Sequence, residues 1–391
     1  MRKLSANYVY SPERGFVKNG ILQLNDEGEV IRFTDPGGNF REEAGLEHYN
    51  GILVPGFVNA HCHLELSCMK GMIPEHTGLD QFIYAVVTGR ESDLPVIEKA
   101  IREADREMQR EGIVAVGDIS NTSHSYQMKA QSRIRYHTFV EIFNMQNAQA
   151  EMTFREGMAL LDTARDQYHL SASLTPHASY SVSEKLFELF RKNLNTPDNR
   201  LSIHNQETTY EDEFIGERKG NFLALFEKLG FEQGDSTARH SRSLPWLSRV
   251  VPPRSPLLLV HNVHTTQEDM DAASLDLSKT SFCLCPNSNL YIAGVLPGTF
   301  LMNNYPENVC IGTDSLASNH RLSILSELIT LDTNYPETGL HNLFRFATIN
   351  GARALGLEDM LGSFSPGKMP GVNLINRVDL QAMKLRRESF V

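Results

Sequence analysis

Eight short apolar runs recur along the chain, and segments with apolar residues at helical spacing follow them. The runs are Ile52–Val58, Ile113–Ile119, Ile134–Phe143, Leu170–Leu174, Leu201–Ile203, Leu257–Val260, Phe282–Cys285 and Val309–Ile311. Strands that alternate with helices form a parallel sheet, and eight such units close into a barrel. An open doubly wound sheet is the alternative, but no GxGxxG follows any run, which disfavours its dinucleotide-binding form. We therefore expect an α/β fold, a (β/α)8 TIM-like barrel.

Both ends of the chain carry short β-like pieces that turn residues separate from one another. Near the N-terminus these pieces are Asn7–Tyr10, Gly20–Leu24 and Val30–Phe33, and near the C-terminus the piece is Val372–Ile375. Neither half could bury its apolar face alone. We expect residues 1–50 and 356–391 to form one small β-sandwich domain, and residues 51–355 to form the catalytic barrel.

The chain has 391 residues and a formal net charge of −11, which argues against a nucleic-acid surface and against a polybasic membrane anchor. No stretch approaches the ~20 apolar residues of a membrane span. The start, MRKLSANYVYSPERG, lacks the apolar core of a signal peptide, and five cysteines are an odd number. We therefore expect a cytoplasmic protein with a small-molecule substrate and no nucleic-acid or membrane partner. Separately from these observations, we expect a homo-oligomer, a dimer.

Polar residues that can bind metal or move protons stand where five of the runs end. The first run leads into His61 and His63, and alternation along an extended strand places both imidazoles on one face. The later positions are His177, His204 with Glu207 three residues beyond it, His261 and Asp314. In a parallel barrel the C-termini of all strands open at one end, so these residues should converge there.

Four of these residues form a candidate ligand set: His61, His63, His204 and Asp314. Three imidazoles and a carboxylate leave an open position on a divalent ion, which lowers the pKa of a bound water toward ~7. Glu207 is placed to move the water proton as a general acid–base, and Asp314 could also orient the water. His261 could polarise the group under attack.

Each residue also has an ordinary structural explanation. A single strand-end histidine is often just hydrogen-bonded, Asp314 could cap the next helix, and Glu207 could be a solvated loop carboxylate. Their coincidence at five strand ends favours the metal site.

The segments PGFVNAHCHLE, TPHASYSVS, HNQET, LVHNVHT, CPNSN and IGTDSLASN resemble the amidohydrolase superfamily. Within it they are most similar to the aminohydrolase branch of guanine deaminase, adenosylhomocysteine/methylthioadenosine deaminase and the chlorohydrolases. The resemblance covers nearly the whole chain and includes Gly362–Lys368, which is similar to the family's return to the small β domain. It implies hydrolytic deamination of a purine-type nucleoside or base, with release of ammonia.

Roles for single residues follow from the same resemblance. It implies metal ligands at the four positions named above, a proton shuttle at Glu207 and a contact of His261 with water and substrate. A further substrate contact is implied at His177, and we also expect Ser315 and Asn319 to contact the substrate. No lysine ends the third or fourth run, where a carbamylated bridge would sit, which favours one metal ion over two. We expect Zn²⁺ first, with Fe²⁺ as the alternative, because this donor set suits both.

The substrate is the least constrained feature. The pairing of HLExS with GTDSLxSN most resembles aminofutalosine deaminases of the futalosine route to menaquinone. Guanine, adenosylhomocysteine or methylthioadenosine deaminases and chlorohydrolases are alternatives, and a barrel that serves only as an assembly protein is a remote one. That last alternative should have lost ligands, and this chain keeps every candidate ligand.

Three further positions bear on substrate recognition. If extended geometry continues past His63, Glu65 faces the same way and could accept a hydrogen bond from a ring amine or a ribose hydroxyl; alternatively it orients a ligand histidine. Arg90 and Arg239 are candidates to meet the benzoate of aminofutalosine, although either could be a surface arginine. The long insertion Thr208–Pro256 could cover the substrate or pair subunits.

Overall fold

The structure, a computed structural model, describes residues 1–39, 43–89, 93–231 and 241–391. Arg90 and Arg239 lie outside the described residues, as does part of the insertion. The strands are β1 (Arg2–Ser11), β2 (Gly15–Lys18), β3 (Ile21–Leu24), β4 (Val30–Thr34), β5 (Leu46–Pro55), β6 (Phe57–Cys62), β7 (Ile113–Ser120), β8 (Arg135–Ile142), β9 (Ser171–Pro176), β10 (Leu201–Asn205), β11 (Leu257–His261), β12 (Thr280–Leu284), β13 (Val309–Ile311) and β14 (Val372–Ile375).

Helices follow most of the strands from β6 onward. They are α1 (Leu79–Gly89), α2 (Leu94–Arg110), α3 (Tyr126–Gln131), α4 (Ala150–Asp162), α5 (Glu184–Asn193), α6 (Thr209–Glu217), α7 (Asn221–Lys228), α8 (Ser243–Val250), α9 (Gln267–Ala272), α10 (Pro286–Ala293), α11 (Phe300–Asn304), α12 (Ile324–Asn334), α13 (Gly339–Arg345) and α14 (Gly351–Leu355). None of the helices in the described part of the chain has both the length and the apolar character that crossing a bilayer requires.

Strands β6–β9 and β10–β13 form two parallel four-stranded sheets, each in chain order. Two seams join them. At one seam Ala178 pairs with His204 beyond the end of β9, and at the other Cys62 pairs with Asp314 beyond the end of β13. The second seam is reinforced because the Asn59 side chain donates to Thr313 Oγ1 at 2.7 Å. The predicted (β/α)8 barrel is confirmed, with a strand at each of the eight apolar runs.

The first run divides between two sheets. Strand β5 pairs with β1 and β14 through Pro55, whereas the barrel begins with β6 at Phe57. Gly56 separates them, and a Cβ at this position would clash with the carbonyl oxygen of Pro370 and with Val114. The domain boundary predicted after residue 50 therefore falls inside β5.

The chain ends meet in one six-stranded sheet of order β14–β5–β1–β3–β4, with β2 paired to β1. In the described residues this unit is a single sheet, where the sequence predicted a sandwich. One buried cluster includes Leu4, Val9, Leu22 and Val30 of this sheet together with Phe364 from the return segment. The joining of both termini in one β unit is as the apolar pieces indicated.

Candidate functional site

Three imidazoles meet at the mouth of the barrel, the end at which the C-termini of its strands open. The Nε2 atom of His63 lies 3.1 Å from Nε2 of His61 and 3.3 Å from Nε2 of His204. His61 and His204 are buried, and His63 is nearly so. We call these three residues the histidine cluster.

A local irregularity in β6 aims the first histidine. Val58 and Ala60 belong to the apolar cluster inside the barrel, so strict alternation would turn His61 outward. Between Asn59 and Cys62, β6 advances three residues while β7 advances two, from Val116 to Asp118. This bulge shifts the phase by one residue, a common device beside functional sites.

Asp314 completes the group from the eighth strand end. Its Oδ1 lies 3.7 Å from Nε2 of His61 and 3.5 Å from Nε2 of His63. Its Oδ2 accepts hydrogen bonds from the hydroxyls of Ser288 and Ser318, both at 2.7 Å. Because the two serines hold Oδ2, the Oδ1 atom of Asp314 faces the histidine cluster. Neither serine was predicted as a site residue from the sequence, although both lie in the CPNSN and IGTDSLASN segments.

The geometry fits a divalent metal ion. Nitrogens about 2.0–2.1 Å from one tetrahedral ion lie about 3.3 Å from one another, close to the observed separations. Burial, followed by neighbouring imidazoles, holds the pKa of His63 and of His204 well below the usual value, so both rings are neutral, as metal ligands must be. His204 Nδ1 lies 3.2 Å from the carbonyl oxygen of His177, which leaves Nε2 for the metal.

A second possible donor set shares one of these residues. Glu141, His177 and His204 offer ligand atoms within 4.8 Å of one another. Glu141 Oε1 is buried without a hydrogen-bond partner in the described chain and lies 3.7 Å from His204 Nδ1. Glu141 is the penultimate residue of β8. It was not predicted from the sequence because it lies within the third apolar run, Ile134–Phe143, and not beyond the end of that run.

Glu207 and His261 face each other beside the histidine cluster, with 3.5 Å between Glu207 Oε2 and His261 Nε2. Burial, with the charges of Asp314 and Glu211, raises the pKa of Glu207 well above its usual value. Burial lowers the pKa of His261 to about 4, and the Asn289 side chain meets its Nδ1 at 3.1 Å. A carboxyl group of raised pKa next to a neutral imidazole suits proton transfer near neutral pH.

Three predicted substrate contacts are engaged elsewhere. The extended geometry assumed for Glu65 is wrong, because Leu64–Met69 form a 3₁₀ helix. Glu65 instead accepts hydrogen bonds from the backbone of Asn121 and from the backbone and hydroxyl of Thr122.

Ser315 and Asn319 lie in the loop after β13. The Ser315 hydroxyl pairs with Ser318 at 2.9 Å, and the Asn319 amide donates to the Thr313 carbonyl and to Glu327, both at 2.9 Å. His177, by contrast, lies against the histidine cluster, with its ring centroid 4.6 Å from that of His204.

The amidohydrolase family profile matches residues 52–383 of the chain. The chain belongs to the amidohydrolase family. It is accordingly a hydrolase that acts on carbon–nitrogen bonds, in a metal-dependent family, as the sequence predicted.

The chain is 28% identical over 351 residues to 5-methylthioadenosine/S-adenosylhomocysteine deaminase of Teredinibacter turnerae. This match covers 84% of this chain and 72% of that protein. It is 25% identical over 341 residues to aminodeoxyfutalosine deaminase of Nitratiruptor sp., and this match covers 85% of this chain and 81% of that protein. Its fold is similar to the crystal structure of Helicobacter pylori aminofutalosine deaminase in complex with methylthio-coformycin, with a TM-score of 0.78, 22% identity, and coverage of 96% and 92%.

Proposed function

We propose that this amidohydrolase is a metal-dependent deaminase that replaces the exocyclic amino group of a purine nucleoside with oxygen and releases ammonia. The observation that carries the proposal is the meeting of the histidine cluster, Asp314 and the Glu207–His261 pair at one mouth. The relatives named as deaminases of methylthioadenosine, adenosylhomocysteine and aminodeoxyfutalosine support the substrate class.

Four residues would hold one divalent ion in this proposal: His61, His63, His204 and Asp314. When bound, the ion would supply a water whose pKa lies near ~7. Zn²⁺ is the proposed metal and Fe²⁺ the alternative, since imidazole and carboxylate suit both. Ser288 and Ser318 hold Asp314 for this task through Oδ2.

The proton path runs through this chain's own side chains. Glu207 accepts one proton from the attacking water and delivers it to a purine ring nitrogen. The second proton of that water goes to the departing ammonia as the C–N bond breaks and the new C=O bond forms. His261, neutral at pH 7, contributes as a hydrogen-bond partner to the water and the substrate rather than as a cation. The Asn289 side chain at its Nδ1 keeps the other nitrogen turned toward Glu207.

The specific substrate that we propose is aminofutalosine, which would place the enzyme in menaquinone biosynthesis. The relative of Nitratiruptor supports this choice because the match covers 81% of that protein. Methylthioadenosine is the second candidate, favoured by the relative of Teredinibacter at 28% identity.

A nucleoside panel tests the proposal directly. Metal-loaded protein would be incubated with adenosine, 5′-deoxyadenosine, methylthioadenosine, adenosylhomocysteine and aminofutalosine, with guanine and a chlorotriazine as controls for the rest of the branch. We expect the ultraviolet shift from amino-purine to oxo-purine, with equimolar ammonia, for at least one adenine nucleoside. Activity confined to guanine or to chloride release, or no activity on any compound, would refute the nucleoside class.

A further inference from the structure

A large aromatic side chain stands uncovered at the mouth of the barrel. Phe143 directly follows β8, and 48% of its surface is exposed, although Glu141 and Ile142 before it are buried. Burial of exposed aromatic surface is favourable, so a solvated phenyl ring beside a reaction centre points to an apolar contact with something that binds there.

The backbone that carries this ring is held in place. Asn144 pairs with Val182 in a β-bridge, and the Ser183 amide donates to the Asn144 carbonyl at 2.8 Å. The His177 amide donates to the Ile142 carbonyl at 3.1 Å. The phenyl ring therefore has a defined position relative to the ends of β8 and β9.

Phe143 is the outermost ring of a series that starts at the metal ligands. The ring of His177 lies 4.6 Å from that of His204, and the ring of Phe143 lies 6.0 Å from that of His177, nearly edge-on at 62°. Glu207, His261 and Asp314 stand at the ends of the fifth, sixth and eighth barrel strands, whereas Phe143 follows the third. A nucleoside with its amino group at Glu207 would extend past His177 toward Phe143.

Several polar atoms beside this ring already have hydrogen-bond partners. His177 Nδ1 pairs with the Ser181 hydroxyl at 2.7 Å, and the Asn144 amide donates to Gln149 and Thr153, both at 3.0 Å. Next to them the phenyl ring of Phe143 offers an apolar face for contact.

We propose that Phe143 forms an outer subsite for the 5′ substituent of the nucleoside. This subsite selects substrates with an apolar or aromatic 5′ group over those with a 5′-hydroxyl. The inference rests on the proposed nucleoside deaminase function and adds a residue that determines which nucleoside is preferred.

The test compares methylthioadenosine with adenosine, which differ only at the 5′ position. In Phe143→Ala we expect the ratio of their kcat/KM values to fall about tenfold toward adenosine, the lower end of what an apolar contact contributes. Phe143→Trp should keep the ratio. Phe390→Ala is the matched control, because 49% of Phe390 is exposed and it lies in the C-terminal segment beyond β14; its ratio should equal that of the wild type.

A ratio unchanged in Phe143→Ala would overturn the subsite. The same holds if that variant only converts an oligomer to a monomer by size exclusion, which would assign the ring to a contact between copies of the chain. The proposed function fails only if the wild type deaminates no adenine nucleoside of the panel. If it deaminates neither methylthioadenosine nor adenosine, calorimetric affinities for these two nucleosides decide the subsite. A fall in the affinity ratio would support it, and an unchanged ratio would refute it.

Discussion

The buried face of the terminal sheet and the mouth of the barrel are filled with different kinds of side chain. In the sheet, Leu4, Val9 and Leu22 pack in an apolar cluster. At the mouth, the buried side chains are imidazoles, carboxylates and hydroxyls, including two carboxyl groups, Glu207 and Glu211, whose pKa values burial raises. Burial of apolar side chains stabilises the sheet, whereas burial of polar side chains at the mouth costs free energy because these groups lose hydration.

The backbone differs in the same way. Ten described non-glycine residues adopt left-handed conformations, and four of them stand at strand ends of the mouth: Gln206, His261, Asn262 and Asp314. Each such residue costs of order 1–3 kcal/mol and persists where the surroundings impose it. The backbone at the mouth therefore lowers the stability of the fold while it sets the geometry of the site. Packing in the rest of the protein must offset this cost.

The largest effect is expected when a metal ligand is removed. His204→Ala should abolish deamination and weaken metal binding by more than about 100-fold, since even residues around a ligand contribute 10–100-fold. The free energy of unfolding of the metal-free variant should stay near that of the metal-free wild type, because the imidazole is held neutral and dehydrated. Metal analysis after dialysis that shows full occupancy would remove His204 from the ligand set.

The converse substitution lies in the sheet. Leu22 is fully buried, so Leu22→Ala should reduce the free energy of unfolding by about 2–5 kcal/mol in urea titrations. The kcat of the folded variant should be unchanged, because the sheet supplies no side chain to the mouth. Gln23→Ala, on a half-buried neighbour, is the control. A large loss of kcat at full folding would mean that the sheet also shapes the site.

The sequence predicted the barrel well because each strand is a short apolar run and five of the eight runs end in chemistry-bearing residues. It predicted the histidine cluster and Asp314 because topology alone brings the ends of parallel strands together. It placed the start of the barrel wrongly, because β5 and β6 are both apolar and only Gly56 separates them. Hydrophobicity alone does not show whether an apolar run forms one strand or is divided between two strands of different sheets.

Other features depend on local backbone geometry that no residue pattern encodes. The bulge in β6 and the left-handed backbone of His261 aim side chains inward, but neither involves a glycine that would signal it. The 3₁₀ helix after His63 turned Glu65 away from its expected face. Ser288 acts on Asp314 from helix α10 and Ser318 from the loop after β13, so their convergence appears only in three dimensions.

A smaller effect is expected from the residues that hold Asp314. Ser318→Ala removes one hydrogen bond to Oδ2 and should weaken metal affinity by about 10–100-fold in a chelator competition. Ser278→Ala is the matched control, because Ser278 also donates to an aspartate, Asp276, at 2.6 Å on the protein surface. Equal metal affinities in the two variants would show that Asp314 needs no support from Ser318.

The smallest effect concerns pH and a carboxyl group behind the mouth. Burial raises the pKa of Glu211 to about 8, against about 4.3 in the unfolded chain. Between these values the folded protein holds the additional proton, so this group makes stability fall as the pH rises from about 4.3 to about 8. The free energy of unfolding of Glu211→Gln should therefore increase relative to that of the wild type as the pH rises across that window. A constant difference would mean that Glu211 titrates normally.

In the proposed reaction, Glu207 carries the proton at a metal site that other residues build. The most direct measurement is therefore the metal content of Glu207→Gln together with its kcat on the best nucleoside of the panel. We expect wild-type metal content and a loss of at least about three decades in rate, the upper range of general acid–base contributions. Turnover near the wild-type rate at full metal occupancy would contradict it.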